Sequence, residues 1–200
     1  MDRAEALHRV AKEQYDVIVV GGGITGAGIF RLACEEGLRA VLLEQRDYAW
    51  GTSSRSGKLV HGGMRYLTQW QFRNSLHSVQ EREVLLSRYP GLVNPLEIVI
   101  VPPGGSLIMK WGIALVLAVY EAMAGRRTRK WHRAGAAEDL APGVAGITRG
   151  AFTAVDGTTD DARLVLRVID EGRLLGGHAL NYVRVDQVRR SSAGAAAGVT

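Results

Sequence analysis

Residues 17–26, Val-Ile-Val-Val-Gly-Gly-Gly-Ile-Thr-Gly, decide how this chain folds. Val17 to Val20 is a short β-branched run that suits a strand buried on both faces. Gly21, Gly23 and Gly26 then give G-x-G-x-x-G where the strand should turn into a helix. The first glycine permits the tight turn, the second lets a pyrophosphate approach the backbone, and the third lets the helix pack closely on the strand. Free N–H groups and the positive end of the helix dipole suit a pair of phosphates.

The flanking residues extend the pattern. Gly26, Phe30, Ala33 and Cys34 fall on one helical face, and Gly37 is a C-terminal stop. Ala40 to Leu43 reads as a second buried strand ending in Glu44. That carboxylate lies about 20 residues beyond the glycines, where a ribose diol is expected to be bound. A lone glycine signature is weak, whereas one framed by strand, helix, strand and terminal acid is strong. Arg46 introduces an ambiguity, because an arginine here can favour a 2′-phosphate, but the acid argues for FAD or NAD.

The bulk numbers narrow the classes. A chain of 200 residues has room for one or two domains. A formal charge of +5 and a pI near 9.7 favour anionic partners. A single cysteine, Cys34, excludes an intrachain disulfide framework and a cysteine-based zinc site, and it reads as a small core residue. Residues 1–14 are charged, with no apolar core of a secretory signal, and read as a short amphipathic helix, so the cytoplasm is the default compartment. No His/Asp/Glu cluster has metal-ligand spacing, so no metal is expected.

After Glu44 comes a loop rich in Gly, Ser and Thr, Gln45 to Gly63, placed to finish a nucleotide site. Gly51 to Leu59 imitates a Walker A loop but has one residue too many between its glycines and Leu59 where a magnesium ligand is needed. An ATPase is rejected. The stretches GGGITGAGI, LLEQRDYAWGTSSRSGKLVHGGMRYL, EREVLL and TTDDARLVL instead resemble the FAD-dependent glycerol-3-phosphate dehydrogenases, over about residues 15–188.

That resemblance implies an α/β fold. It is a Rossmann-like FAD/NAD(P)-binding domain of the glutathione reductase/D-amino-acid-oxidase type, with part of an inserted substrate domain. It implies oxidation of glycerol 3-phosphate to dihydroxyacetone phosphate, with electrons passed to quinone or oxygen and peripheral contact with the inner face of the cell membrane. No nucleic-acid partner is expected. Gly21, Gly23, Ile24, Thr25, Gly26, Glu44 and Gln45 would lie on the ADP half of FAD. Thr52, Ser53, Ser54, Lys58 and Leu59 would follow the pyrophosphate and ribityl chain, and His61, Gly62 and Gly63 the isoalloxazine. Arg65 and Tyr66 would face the substrate, an arginine fork suiting its dianionic phosphate. His61 and Tyr66 are the local candidates for proton handling, and Val185 would run near the adenine. Read without the family, Arg65 and Tyr66 are a surface ion pair and a half-buried aromatic. Phe30 and Gly57 depart from the family pattern, which has a small residue and a serine there.

Downstream, residues 69–89 predict a helix buried along Phe72, Leu76, Val79 and Leu86, with His77 an ordinary helix residue. Leu96 to Val101 reads as a strand. Leu107 to Ala124 is too short in its apolar core to span a membrane, and reads first as a helix buried between domains and second as a membrane-surface helix. The basic run Arg126 to Arg133 suits anionic headgroups, a solvated cluster or a nucleic-acid patch. Gly150 to Val155 reads as a strand turned by Asp156-Gly157, and Asp160 and Asp161 as helix-capping residues. Leu164, Val165, Val168 and Ile169 form the buried stripe of that helix, Gly176-Gly177 ends it, and Ala179 to Val188 reads as a strand. The expected organisation is a first part of the FAD domain over 15–95, a partial substrate domain over 96–155, a return to the FAD domain over 156–190 and a small-residue tail over 191–200. The resemblance implies an N-terminal portion of a longer enzyme. Its rivals are a related FAD oxidase of amino or hydroxy acids and a catalytically silent module.

Overall fold

The computed structural model describes residues 2–103, 106–144, 146 and 148–200, without the side chains of Arg65, Thr68, Leu107 and Val144. The chain forms two compact units. One combines residues 1–57 with 160–200, and the other is the intervening 58–159.

In the first unit the chain runs α1 (Arg3–Lys12), β1 (Val17–Val20), α2 (Ile24–Glu35) and β2 (Ala40–Leu43), then returns after the second unit with α7 (Asp161–Leu174), β7 (His178–Leu180), β8 (Val188–Arg190) and β9 (Ala196–Val199). A parallel sheet in the order β1-β2-β7 is its centre. All four residues of β2 are buried, as a central strand with both faces covered requires. β1 is the edge of this path, and its last residue, Val20, is 58% exposed, so the expectation of burial on both faces fails there. Ala6, Val10 and Tyr15 pack against the cluster of Val41, Leu43 and Leu180. α1 itself opens with a capping box between Asp2 and Glu5.

α2 buries Ala27, Phe30, Ala33 and Cys34, and α7 buries Leu164, Val165, Val168 and Ile169. Phe30, the residue expected to disturb packing, is fully buried, and the structure shows what makes room for it. A Cβ on Gly172 of α7 would stand 2.5 Å from its ring, and one on Gly177 2.6 Å. Two glycines far along the chain thus form the slot for one oversized side chain. The expected long strand over 179–188 is broken: only Ala179 and Leu180 belong to β7, irregular chain follows to Gln187, and β8 pairs antiparallel with β9 in the expected tail.

The second unit comprises β3 (Leu59–Val60), α3 (Met64–Thr68), α4 (Phe72–Arg88), β4 (Val93–Ile100), α5 (Leu107–Ala124), β5 (Lys130–Arg133), α6 (Ala134–Leu140) and β6 (Gly150–Thr159). β6 is its spine, pairing antiparallel with β3, β4 and β5. Asp156-Gly157 therefore lies within a strand and does not turn it. Gly157 is required by proximity, since a Cβ would stand 2.9 Å from the Val60 carbonyl. The unit borders fall after Gly57 and after Thr159, away from the expected 95 and 155, because β4 and β6 pair along their whole lengths.

α4 buries Ser75, Val79 and Arg82, while Phe72 and Leu76 are exposed, because its inward face is partly polar. α5 buries Leu117, Tyr120 and Glu121 and exposes Ile108, Trp111 and Leu115, so it is a one-sided helix and not one buried all round. Among the described residues, no helix is long and apolar enough to cross a membrane.

Alanine at an open helix position gains about 1 kcal/mol over glycine. At Gly172 the collision with Phe30 reverses the sign, and Gly172→Ala is expected to lower the unfolding free energy by about 1–3 kcal/mol in urea titrations. Combined with Phe30→Leu, the loss should fall short of the sum of the two single losses.

Candidate functional site

The site in the first unit begins where β1 ends. Gly21 adopts φ +111°, a conformation that side chains disfavour, and its amide donates to the Leu43 carbonyl at 2.8 Å. A Cβ on Gly26 would strike the Gly21 carbonyl, so only glycine lets α2 leave the strand this tightly. Gly23 is the N-cap of α2 and has no side chain to close the helix end. The amides of Gly23, Thr25 and Gly26 donate to no acceptor among the described residues. Ile24 N–H donates to Ser53 Oγ at 3.0 Å, which brings a hydroxyl to the same helix end. Uncapped amides, a dipole terminus and a hydroxyl with its proton to spare form a receptor for an anion.

Glu44 stands at the end of β2. Its Oε2 accepts from Gly22 N–H at 2.7 Å and its Oε1 from Arg46 N–H at 2.7 Å, leaving lone pairs on both oxygens. The Arg46 guanidinium lies over the Trp50 ring at 4.7 Å, as does that of Arg55 at 5.0 Å. Arg46 is thus stacked on the loop, and Glu44 keeps acceptor capacity at the end of β2. Gln45 follows in the same turn, and Thr52, Ser53 and Ser54 make one turn of 3-10 helix. Ser54 Oγ donates within that loop to the Gly51 carbonyl at 3.3 Å, while Thr52 is exposed. A Cβ at Gly57 would meet nothing within 4 Å, so its departure from serine costs no packing. Val185 packs beside Val41, Leu43 and Leu180.

Sequence reading missed the anchor of this loop. Ser56 donates to Asp161 Oδ2 twice, from N–H at 3.0 Å and from Oγ at 2.7 Å, so Asp161 does more than sit at a positive helix end. Asp160 is the cap proper, accepting from Arg163 N–H at 3.1 Å. The adjacent aspartates were visible, but nothing local distinguishes the one that caps from the one that reaches back 105 residues.

The remaining candidates lie in the second unit. Lys58, at φ +56°, offers its carbonyl to Thr159 N–H at 2.9 Å, and Leu59 pairs with Thr158. His61 is exposed, and its Nδ1 accepts from Gly63 N–H at 3.2 Å. That contact engages Nδ1 and leaves Nε2 as the ring nitrogen without a partner among the described residues of this turn. Gly63, at φ +69°, caps α3, and Gly62 donates to Asp156 Oδ1 at 3.1 Å. Tyr66 packs against Gly63, while the Arg65 side chain lies outside the described residues.

Residues 16–200 match the family described as DAO, FAD dependent oxidoreductase. The chain belongs to this family. It is 40% identical over 191 residues to a glycerol-3-phosphate dehydrogenase of Pseudomonas aeruginosa, covering 96% of this chain and 37% of that protein. It is 36% identical over 177 residues to an aerobic glycerol-3-phosphate dehydrogenase of Staphylococcus aureus, covering 86% and 32%. The chain thus spans about a third of these relatives. Among solved structures, the glycerol-3-phosphate dehydrogenase of Bacillus halodurans complexed with FAD superposes with a TM-score of 0.71 at 27% identity, covering 95% of this chain and 31% of that one. The L-proline dehydrogenase of P. horikoshii shares the fold at a TM-score of 0.70 and 16% identity. Membership of an FAD-dependent family agrees with a nucleotide-type glycine turn at the start of α2.

The two aspartates should separate experimentally. Asp160→Ala is expected to cost about 1 kcal/mol of stability and to leave Ser56 amide exchange unchanged. Asp161→Ala should speed that exchange by about tenfold, read by hydrogen-exchange mass spectrometry.

Proposed function

We propose that this chain carries the FAD-binding part of an enzyme that oxidises sn-glycerol 3-phosphate to dihydroxyacetone phosphate. The carrying observation is the uncapped start of α2 beside Glu44, in a chain 40% identical to a glycerol-3-phosphate dehydrogenase. When bound, FAD supplies the hydride-accepting ring. The amides of Gly23, Thr25 and Gly26, with Ser53 Oγ, Thr52 and Ser54 close by, hold its pyrophosphate. Ile24 opens the helix there, and Glu44 with Gln45 takes the ribose hydroxyls. Val185 would serve the adenine, and Lys58 and Leu59 the ribityl chain.

Substrate oxidation removes the C2 hydroxyl proton along with hydride from C2. His61 and Tyr66 are this chain's groups for hydrogen-bonding that hydroxyl, and Arg65 is its group for the substrate phosphate. With Nδ1 engaged by Gly63, His61 meets the substrate oxygen as an Nε2–H donor. Gly62 and Gly63 would present backbone toward the flat ring, the space that a side chain on each would need being taken by Tyr120 and Tyr66. Electrons leave to a quinone or to oxygen, and the quinone route brings the enzyme to the inner membrane surface from the cytoplasm.

The visible spectrum of the purified chain with added FAD tests this, followed by anaerobic glycerol 3-phosphate. A bound flavin that bleaches is the expected result. Bleaching by glycine or 2-hydroxyglutarate in its place would transfer the reading to a related oxidase, and a chain that takes up no flavin would overturn it. Within the same experiment, Glu44→Ala is expected to weaken FAD binding by about tenfold or more, as loss of a charge-assisted hydrogen bond does.

A further inference from the structure

Beneath the His61–Gly63 turn lies a buried polar group that the chemistry above does not use. Arg82 on α4 is only 2% exposed. Its Nη1 donates to Tyr120 Oη on α5 at 2.7 Å and to Asp156 Oδ1 on β6 at 3.2 Å. Its Nε and Nη2 donate to Glu83 Oε1 at 3.0 and 2.6 Å, and Glu83 also receives Arg126. A guanidinium this deep is tolerated because each of its edges meets an acceptor. Burial also raises the Tyr120 phenol well above its ordinary range, so it remains a neutral O–H.

The upper side of this group is the backbone of the turn. Asp156 Oδ1 receives Gly62 N–H at 3.1 Å, and Tyr120 Oη approaches the same oxygen at 3.4 Å. A Cβ on Gly62 would strike Tyr120 Oη and stand 2.9 Å from Val79. One residue on, the Gly63 carbonyl accepts from the fully buried Ser75 Oγ at 3.2 Å, and the Gly63 amide fixes His61 Nδ1. Three elements therefore converge on two glycines, and those glycines set one imidazole.

We infer that Arg82, Asp156 and Tyr120 are positioning residues, a buried clamp that sets the Gly62–Gly63 backbone and through it the orientation and proton placement of His61. Arg82 pairs with Asp156, whose Oδ1 also accepts the Gly62 amide. Tyr120 fills the space that a side chain at 62 would need, so the turn has one seat. The inference rests on the proposed placement of this turn beside the flavin.

The test uses the isotope-labelled chain without cofactor, measuring the ¹⁵N shifts of the His61 imidazole and amide exchange at Gly62 and Gly63 in Asp156→Ala, Asp156→Asn and Tyr120→Phe. In the parent, neutral His61 is expected as the Nε2–H tautomer. Asp156→Ala should speed exchange at both glycines by about tenfold beyond any change in the β4–β6 ladder, and should mix the two tautomers. Asp156→Asn keeps an acceptor oxygen and should restore most of both signals. Unchanged His61 shifts in Asp156→Ala, exchange that rises evenly through residues 58–159, or no rescue by asparagine would each overturn the clamp. Should Asp156→Ala not fold, Tyr120→Phe, which removes one hydroxyl, decides by the same tautomer and exchange readings. Added FAD then separates the two readings. An altered flavin band in the variant carries the clamp through to the cofactor, and an unaltered one denies that reach. A parent chain that binds no flavin overturns the placement of the turn, while the clamp is still decided by the cofactor-free data.

Discussion

The contact between Gly26 and the Gly21 carbonyl is the constraint on which the nucleotide-binding unit depends. With no Cβ between them, α2 starts directly off the end of β1, and its first-turn amides stay unspent. Glu44 then ties the end of β2 to the same turn through Gly22. A larger residue at position 26 would separate helix from strand. The slot formed by Gly172 and Gly177 around Phe30 secures the outer flank of the same helix. Backbone proximity at both ends thus replaces side-chain interdigitation as the means of fixing α2.

The second unit reaches order by a different route. Its sheet is organised on one long strand, β6, and its helix α4 faces inward with a serine and an arginine as well as a valine. Buried charges of this kind stabilise a fold only weakly compared with apolar packing of equal volume, but they punish any arrangement that leaves one of them unpaired. Around the Gly62–Gly63 turn, such groups favour one arrangement more than they add bulk stability.

What was legible in the sequence was what is encoded locally. The glycine spacing, the β-branched run at 17–20 and the apolar run at 40–43 gave strand limits that the structure reproduces. The Leu164, Val165, Val168 and Ile169 stripe likewise needs no partner to be recognised. Long-range compensation was not legible. Nothing around Phe30 announces that its cavity is supplied by Gly172 and Gly177, and nothing around Asp156-Gly157 distinguishes a turn from a strand whose glycine admits Val60. The inward face of α4 was misassigned because a hydrophobic count favours Phe72 and Leu76 over Arg82, whose burial depends on acceptors 38 and 74 residues away. The glycine turn and the place of Glu44 at the end of β2 were legible from spacing, while the Ser56–Asp161 tie joined two segments that no short pattern connects.

The interrupted course of the first unit bears on how the protein is made. β2 is the central strand, yet one of its two neighbours, β7, begins at His178, after the entire 58–159 unit has been synthesised. On the ribosome, β1 and β2 must therefore wait with one side of a strongly apolar strand unpaired, while the inserted unit already has all of its own strands. Closing the parallel sheet is a late, non-local event. The nascent chain passes through an interval in which Ala40 to Leu43 is the segment most in need of shelter, and a chaperone that holds it would act before any cofactor can bind.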